Sequence, residues 1–205
     1  MDFLRRAPGS DRPQRRVAVL PAAFHPPTVA HVELARAATD HVDEVLFVLP
    51  RAFPHKDLRD QELPLRASMI QAIAETHDQF SAAICDGGLY IEIAREARDA
   101  YGRQSGVALL CGRDAAERII QWTYPPGFDI ESGLQEFELL VACRQGVFDP
   151  PASIANRVRH LSMDPSFDEI SSTEVRRRIR EGDLWTHLVP EPCHEIVTAH
   201  LNLFN

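Results

Sequence analysis

Five short, almost uninterrupted apolar runs constrain the architecture of this 205-residue chain more than any other feature. They are Val17–Leu20, Glu44–Leu49 (apolar at Val45, Leu46, Phe47 and Val48), Ser81–Cys85, Val107–Cys111 and Leu139–Cys143. A strand that is apolar at successive positions has to be covered on both faces, which is the condition of a parallel sheet. The segments between the runs carry helical spacing. They are Val29–Ala38, Leu65–Glu75, Leu89–Ala100 and Asp114–Gln121. In the second, Leu65, Met69, Ala72 and Ile73 share a face; in the third, Ile93 and Ala97 do. This alternation predicts an α/β fold, a doubly wound parallel sheet with right-handed crossovers. In such a sheet ligands lie beyond the carboxyl ends of the strands, at the point where the strand order reverses.

The remainder reads less regularly. Tyr124–Gln135 holds Pro125, Pro126, Gly127 and Gly133 and reads as a loop. A short helix is expected near Ser153–Val158, a strand at His160–Met163, a basic helix at Thr173–Arg180 and a last helix near Cys193–Leu201. Residues 17–205 form one domain in this reading, with a helical C-terminal extension over about 165–205. Met1–Arg16 carries Arg5, Arg6, Arg12, Arg15 and Arg16 but no apolar signal core, so a flexible basic arm is expected there.

The composition narrows the functional classes. At 44% hydrophobic and 25% charged residues the chain is globular rather than disordered. A net charge of −8 argues against a broad nucleic-acid-binding face. No stretch approaches the roughly 18 apolar residues of a membrane span. Cys85, Cys111, Cys143 and Cys193 are isolated, with no Cys-x-x-Cys pair, and are expected as buried free thiols in a reducing cytoplasm. The nine histidines form no zinc-binding pattern, and no dedicated metal site is expected. Neither of the glycine-rich phosphate fingerprints is present. A homo-oligomer is compatible with all of this.

Two separate segments each read as a loop feeding a helix, and helix N-termini attract anions. The first is Pro21–His31, directly after the first apolar run. Thr28 and His31 are spaced to share one helix face, and Pro27 suits a first helical turn. The second is Ile170-Ser171-Ser172-Thr173-Glu174-Val175-Arg176. His, Ser, Thr and Arg at two such ends point to chemistry on a nucleotide phosphate. Pro54-His55-Lys56 follows the second apolar run, and Gly112-Arg113-Asp114 follows the fourth, with Trp122 downstream. A lysine supplies a point charge for a mobile phosphate, a glycine permits close backbone approach, and a Trp offers a face for a planar ring.

In order and in content these segments resemble the nucleotidyltransferase superfamily with the His/Thr-x-Gly-His motif, and within it the bacterial nicotinate mononucleotide adenylyltransferases. Thr28-Val29-Ala30-His31 stands at that motif, and Ile170–Arg176 is similar throughout to the family's Ile-Ser-Ser-Thr-x-Ile/Val-Arg segment. Pro54-His55-Lys56, Arg66-Ala67-Ser68-Met69, Gly112-Arg113-Asp114 with Trp122, and Leu188-Val189-Pro190 also resemble family segments. The resemblance implies a Rossmann-like nucleotidyltransferase fold. It also implies a reaction in NAD biosynthesis: the phosphate of a mononucleotide attacks the α-phosphorus of ATP and pyrophosphate leaves. By carry-over, Thr28, His31, Lys56 and Arg176 act on the triphosphate. Ala22, Ala23, Phe24, Gly112, Asp114, Ile170, Ser171, Ser172 and Thr173 hold ATP. Leu89, Tyr90, Trp122 and Arg144 hold the acceptor. Mg²⁺ is expected to accompany ATP, with no nucleic-acid or membrane partner.

The chain departs from the family at three places. Pro21-Ala22-Ala23-Phe24-His25-Pro26 replaces Gly-Gly-Thr/Ser-Phe-Asn/Asp-Pro, Ala30 replaces the motif glycine, and Leu89-Tyr90-Ile91 replaces Ser-Tyr-Thr. The first two changes put Cβ atoms where backbone is expected to approach phosphate. Two alternatives therefore stand beside the adenylyltransferase: a relative using CTP or another phosphorylated acceptor, and a nucleotide-binding homologue without turnover.

Overall fold

The computed structural model describes residues 1–51, 62–124, 130–143 and 146–204. Pro54, His55, Lys56 and Arg144 lie outside the described residues. Each of the five apolar runs is a strand: β2 (Arg16–Pro21), β3 (Glu44–Pro50), β4 (Phe80–Cys85), β5 (Gly106–Gly112) and β6 (Glu138–Ala142). They join β1 (Asp2–Arg5) and β7 (Val158–Leu161) in one seven-stranded sheet of order β1-β4-β3-β2-β5-β6-β7. All neighbours pair in parallel except β1 with β4. The helices between strands are α1 (Val29–Ala38), α2 (Leu63–Ala74), α3 (Tyr90–Tyr101) and α4 (Arg113–Gln121). The expected doubly wound sheet is thus present, with β2 and β5 adjacent at its centre.

Alternation along the strands divides the core into two layers. Ala18 and Leu20 of β2, with Phe47, Leu49 and Leu110, pack under α1 and α2. Val17 and Val19, with Leu46, Val48, Leu109 and Cys111, pack under α3 and α4. The C-terminal segment joins the first layer rather than standing apart: Val175, Leu188, Cys193, Val197 and Phe204 are buried in it. That segment holds α6 (Ser172–Glu181) and α7 (His194–Ala199), with short 3₁₀ turns around them. Residues 130–133, which read as loop from the sequence, form the single-turn helix α5 (Ile130–Gly133).

The N-terminal segment differs from expectation. In place of a flexible arm there is a strand: β1 pairs antiparallel with β4 through Asp2↔Ile84 and Phe3↔Ala83. The physical reason is a buried polar cluster at the amino ends of the strands. Ala7 N–H donates to Ser81 Oγ at 2.7 Å, and Ser81 donates to Glu44 Oε1 at 2.5 Å. The Tyr101 hydroxyl donates to the same carboxylate, and Arg15 Nε stands 3.4 Å from Glu44 Oε2, without hydrogen-bond alignment. Glu44 is fully buried, so its charge depends on these partners.

A Glu44→Ala variant leaves Arg15 without its counter-charge and two hydroxyls without their acceptor. It should lose about 3 kcal/mol of stability, the scale for breaking one side of a buried ion pair. Urea unfolding measures this, and a loss of a few tenths would show that the N-terminal segment is held by β1 pairing alone.

Candidate active site

Where β2 and β5 diverge in connectivity, a cleft of about 480 Å³ opens over their carboxyl ends. The loop after β2 forms one wall and the start of α6 another; the start of α4 and the start of α3 close it. Fifteen of the seventeen residues singled out from sequence border this one cleft; the other two, Lys56 and Arg144, lie outside the described residues.

The loop after β2 is shaped without glycine. Pro21 ends β2, and Ala22 N–H donates to Val48 O at 3.2 Å, continuing the ladder. Neither residue has positive φ, so the two family glycines are dispensable for the path of the chain. Ala22 accordingly spends its N–H on the sheet. The left-handed turn falls on Phe24, at φ 48°. This conformation costs an L-residue on the order of 1 kcal/mol. Burial of the ring, 1% exposed, more than offsets it by roughly 2 kcal/mol or more. The Phe24 ring packs on Phe47 and on His31 at centroid distances of 5.9 and 5.2 Å. Phe24 anchors the loop, and Ala23 and His25 follow at the cleft.

Thr28 and His31 are adjacent, as their spacing predicts, but they do not act as equivalents. Thr28 is the extended N-cap of α1, Pro27 lies before the cap, and Thr28 is fully buried. Thr28 N–H donates to His31 Nδ1 at 3.0 Å, and Thr28 Oγ1 lies 2.8 Å from the same nitrogen. An Nδ1 that accepts from a backbone N–H carries no proton. The neutral imidazole therefore bears its hydrogen on Nε2, as a donor. The N–H and the hydroxyl of Thr28 are both engaged with His31. Ala30, in place of glycine, is buried in the first turn of α1.

Ser171 caps α6, accepting from Glu174 N–H at 3.2 Å. Helix geometry leaves the N–H groups of Ser172 and Thr173 without intrahelical acceptors. Ile170 precedes the cap at the cleft wall. The two motifs are bonded to each other: Ser172 Oγ donates to Pro26 O at 2.8 Å, and Arg176 Nη1 donates to His25 O at 2.6 Å. Arg176 Nη2 also reaches Thr173 Oγ1 at 3.2 Å. Burial and the nearby Arg180 lower the pKa of Arg176 from its ordinary value. Arg177 and Arg178 are bound to Glu174 at 2.8 and 2.7 Å.

The third wall begins at Gly112, the N-cap of α4, and follows Asp114 and Trp122 along one helix face. Leu89 and Tyr90 stand opposite at the start of α3, where the leucine N-cap supplies no side-chain acceptor. Sequence reasoning missed Arg113, Arg118 and Tyr124, which also border the cleft. For Arg118 the available signal was the spacing from Asp114 through Arg118 to Trp122, four residues each time; Arg113 and Tyr124 carried none. Burial pushes the Tyr124 phenol up to about 12, and its hydroxyl donates to Ile119 O at 2.8 Å. Among the described residues no group of three or more His, Cys, Asp or Glu is arranged to hold a metal ion. No helix among them is long and apolar enough to cross a membrane, and the four cysteines are free thiols.

Behind the loop, His25 Nε2 stands 3.5 Å from Glu62 Oε2, and the ring lies 4.9 Å from that of Phe204. Burial lowers the His25 pKa from 6.5; Glu62 opposes this, and Arg176 and Arg66 add to it. The buried Arg66 reaches Ala23 O at 3.4 Å from the same side.

Similarity to known proteins follows the same outline. The cytidylyltransferase-like family model matches residues 19–178. A Treponema pallidum protein named "Probable nicotinate-nucleotide adenylyltransferase" is 29% identical over 202 residues, covering 90% of this chain and 97% of the relative. A Salinibacter ruber protein of the same name is 28% identical, covering 90% and 95%. Among solved structures, a Plasmodium falciparum nicotinic acid mononucleotide adenylyltransferase complexed with NaAD superposes with a TM-score of 0.69. It covers 94% of this chain and 99% of its own at 15% identity, a likeness of fold. A Vibrio parahaemolyticus structure titled "putative nicotinate-nucleotide adenylyltransferase" gives 0.62 at 14% identity, covering 93% and 96%.

A lowered His25 pKa means that protonation costs the folded state more than the unfolded one. Stability is therefore full above about pH 6.5 and declines as pH falls from there toward the lowered value. Thermal unfolding between pH 5 and 8 should show His25→Asn losing less on acidification than the parent chain. Parallel curves would mean that the ring is not kept neutral by the fold.

Proposed function

The chain belongs to the cytidylyltransferase-like family, and we propose that it is an adenylyltransferase that joins a pyridine mononucleotide to the AMP moiety of ATP, as in NAD biosynthesis. The observation that carries this is the direct bonding of the first turns of α6 to the loop that leads into α1, Ser172 to Pro26 and Arg176 to His25. With it, His31, the α6 N-terminus and Arg176 border one cleft at the switch point of the sheet. The names of the Treponema and Salinibacter relatives support the acceptor class.

The acceptor's phosphate oxygen attacks the α-phosphorus, and the bond from that phosphorus to the oxygen bridging the β-phosphate breaks. The electron pair leaves with pyrophosphate. No covalent enzyme intermediate is needed, so the protein acts by positioning and by meeting developing charge. His31 donates from Nε2 to a phosphate oxygen, held in that tautomer by Thr28. The Ser172 and Thr173 N–H groups and Arg176 receive the leaving phosphates, and Lys56 adds a charge there. Ala22, Ala23 and Phe24 form the loop beside ATP. Gly112 and Asp114 border the adenosine, while Leu89, Tyr90, Trp122 and Arg144 belong to the acceptor side.

Mg²⁺ enters with ATP. The polar groups of the described cleft are mostly anion-binding donors, and no carboxylate cage accompanies them. The ion would be carried on the phosphate oxygens as part of the substrate. The free thiols and the acidic chain suit a cytoplasmic enzyme acting on small phosphorylated molecules.

Pyrophosphate release tests the proposal, with ATP or CTP against both pyridine mononucleotides and a panel of other phosphorylated acceptors. Turnover with ATP and a pyridine mononucleotide is expected; turnover only with another pair would replace the reading. His31→Ala should lower kcat by at least about 100-fold, as loss of a transition-state donor does. An unchanged kcat would remove His31 from the reaction.

A further inference from the structure

Among the described residues, five basic side chains border the cleft, and four are already engaged by groups of the protein. His31 is held by Thr28, His25 faces Glu62, Arg176 bonds the His25 carbonyl, and Arg113 lies 3.4 Å from Glu117 and 3.9 Å from Asp114. Arg118 is the fifth. It is exposed, and among the described residues no carboxylate lies within ion-pair distance of it. It stands on α4 one turn after Asp114 and one turn before Trp122, on the helix face that borders the cleft. Its charge also reaches across to neighbouring elements. It opposes the burial that raises the Tyr90 phenol of α3 and the Cys111 thiol of β5, the latter pushed up to about 12. Arg118 thus belongs to the part of the cleft walled by Tyr90 and Trp122.

A cation left without a counter-charge beside two aromatic rings suits a planar ligand with an anionic edge. Resting on the function proposed above, we infer that Arg118 selects the acceptor: its guanidinium pairs with a carboxylate on the acceptor's ring and favours the acid over the amide form of a pyridine mononucleotide. The chemistry is asymmetric. A carboxylate offers two oxygens to the two parallel N–H groups of the fork. A carboxamide offers one oxygen, and its NH₂ donors face donors. The Leu89-Tyr90-Ile91 segment, which lacks the flanking hydroxyls of the family segment, makes this side-chain contact the more decisive.

The test compares kcat/KM for nicotinate and nicotinamide mononucleotides in the parent enzyme, Arg118→Gln and Arg118→Lys. Arg118→Gln should lower kcat/KM for the acid by roughly 10- to 100-fold, mostly through KM, with a far smaller effect on the amide and on KM for ATP. Arg118→Lys, which keeps charge without the fork, should fall between. An equal loss on both acceptors would assign Arg118 to a group they share, such as the phosphate, and would overturn the inference while leaving the proposed function standing. Unchanged selectivity would do the same. No turnover of either acceptor by the parent enzyme would overturn the proposed function and the inference with it.

Discussion

The site depends on two hydrogen bonds between parts of the chain nearly 150 residues apart. Ser172 Oγ and Arg176 Nη1 bind the carbonyls of Pro26 and His25. A proline has no N–H, and a loop that turns through a positive φ at Phe24 cannot satisfy its carbonyls within a regular ladder. The α6 helix supplies the missing donors. In return the loop fixes the helix end, so that Ser172 and Thr173 face the cleft with their own N–H groups lacking intrahelical acceptors. Packing beneath reinforces this: Val175 of α6 is fully buried in the layer that also holds Leu20 and Phe24. The C-terminal segment is in this sense part of the site as well as part of the core.

The two ends of the sheet use polarity in opposite ways. At the amino ends, the buried Glu44 accepts from Ser81 and Tyr101 and faces Arg15, so its neighbours all belong to the protein. At the carboxyl ends, donors point into an open cleft. Breaking a closed cluster costs stability, whereas the open donors gain their full effect only with an anion in place. His25 lies between these regimes. Its carbonyl belongs to the clamp, while its half-buried ring faces Glu62 and Phe204.

Much of the fold was legible because a strand covered on both faces leaves a run of apolar residues with no competing interpretation. β2, β3 and β5 show this directly. β1 was not legible: Asp2-Phe3-Leu4-Arg5 is half charged, and its hold comes from backbone pairing with β4 and from Ser81, partners a local pattern does not reveal. The site divides similarly. His31, Ser171, Ser172, Thr173 and Arg176 stand in a motif, and the cleft brings them together. Thr28 was visible as a residue, but its burial and its bonding to His31 Nδ1 were not, because spacing does not say which way a cap side chain is turned. Arg118 was hidden for the converse reason. A single arginine on an amphipathic helix reads as a solvated face until the facing wall is known.

Charge on α6 shows how an acidic protein makes a locally positive cleft wall. Arg176, Arg177, Arg178 and Arg180 all lie on this helix, in a chain of net charge −8. Glu174 sorts them. Its carboxylate binds Arg177 and Arg178 and is held down to about 2 by those bonds. Arg176, one turn after Ser172, is left to the loop and the cleft. Two arginines are thus neutralised on the outer face while one keeps its charge at the opening, beside a helix N-terminus that is itself positive. The field at the cleft is set by which arginines are paired, so the net charge of the chain does not decide it. The same logic governs α4, where Arg113 is engaged by Asp114 and Glu117 and Arg118 is not. On α6 one carboxylate takes up two guanidinium groups and on α4 two carboxylates flank one, and each helix keeps a further arginine at the cleft without a carboxylate partner among the described residues. The local charge of the cleft then follows from pairing within each helix, even where the glycines expected to cradle phosphate have been replaced.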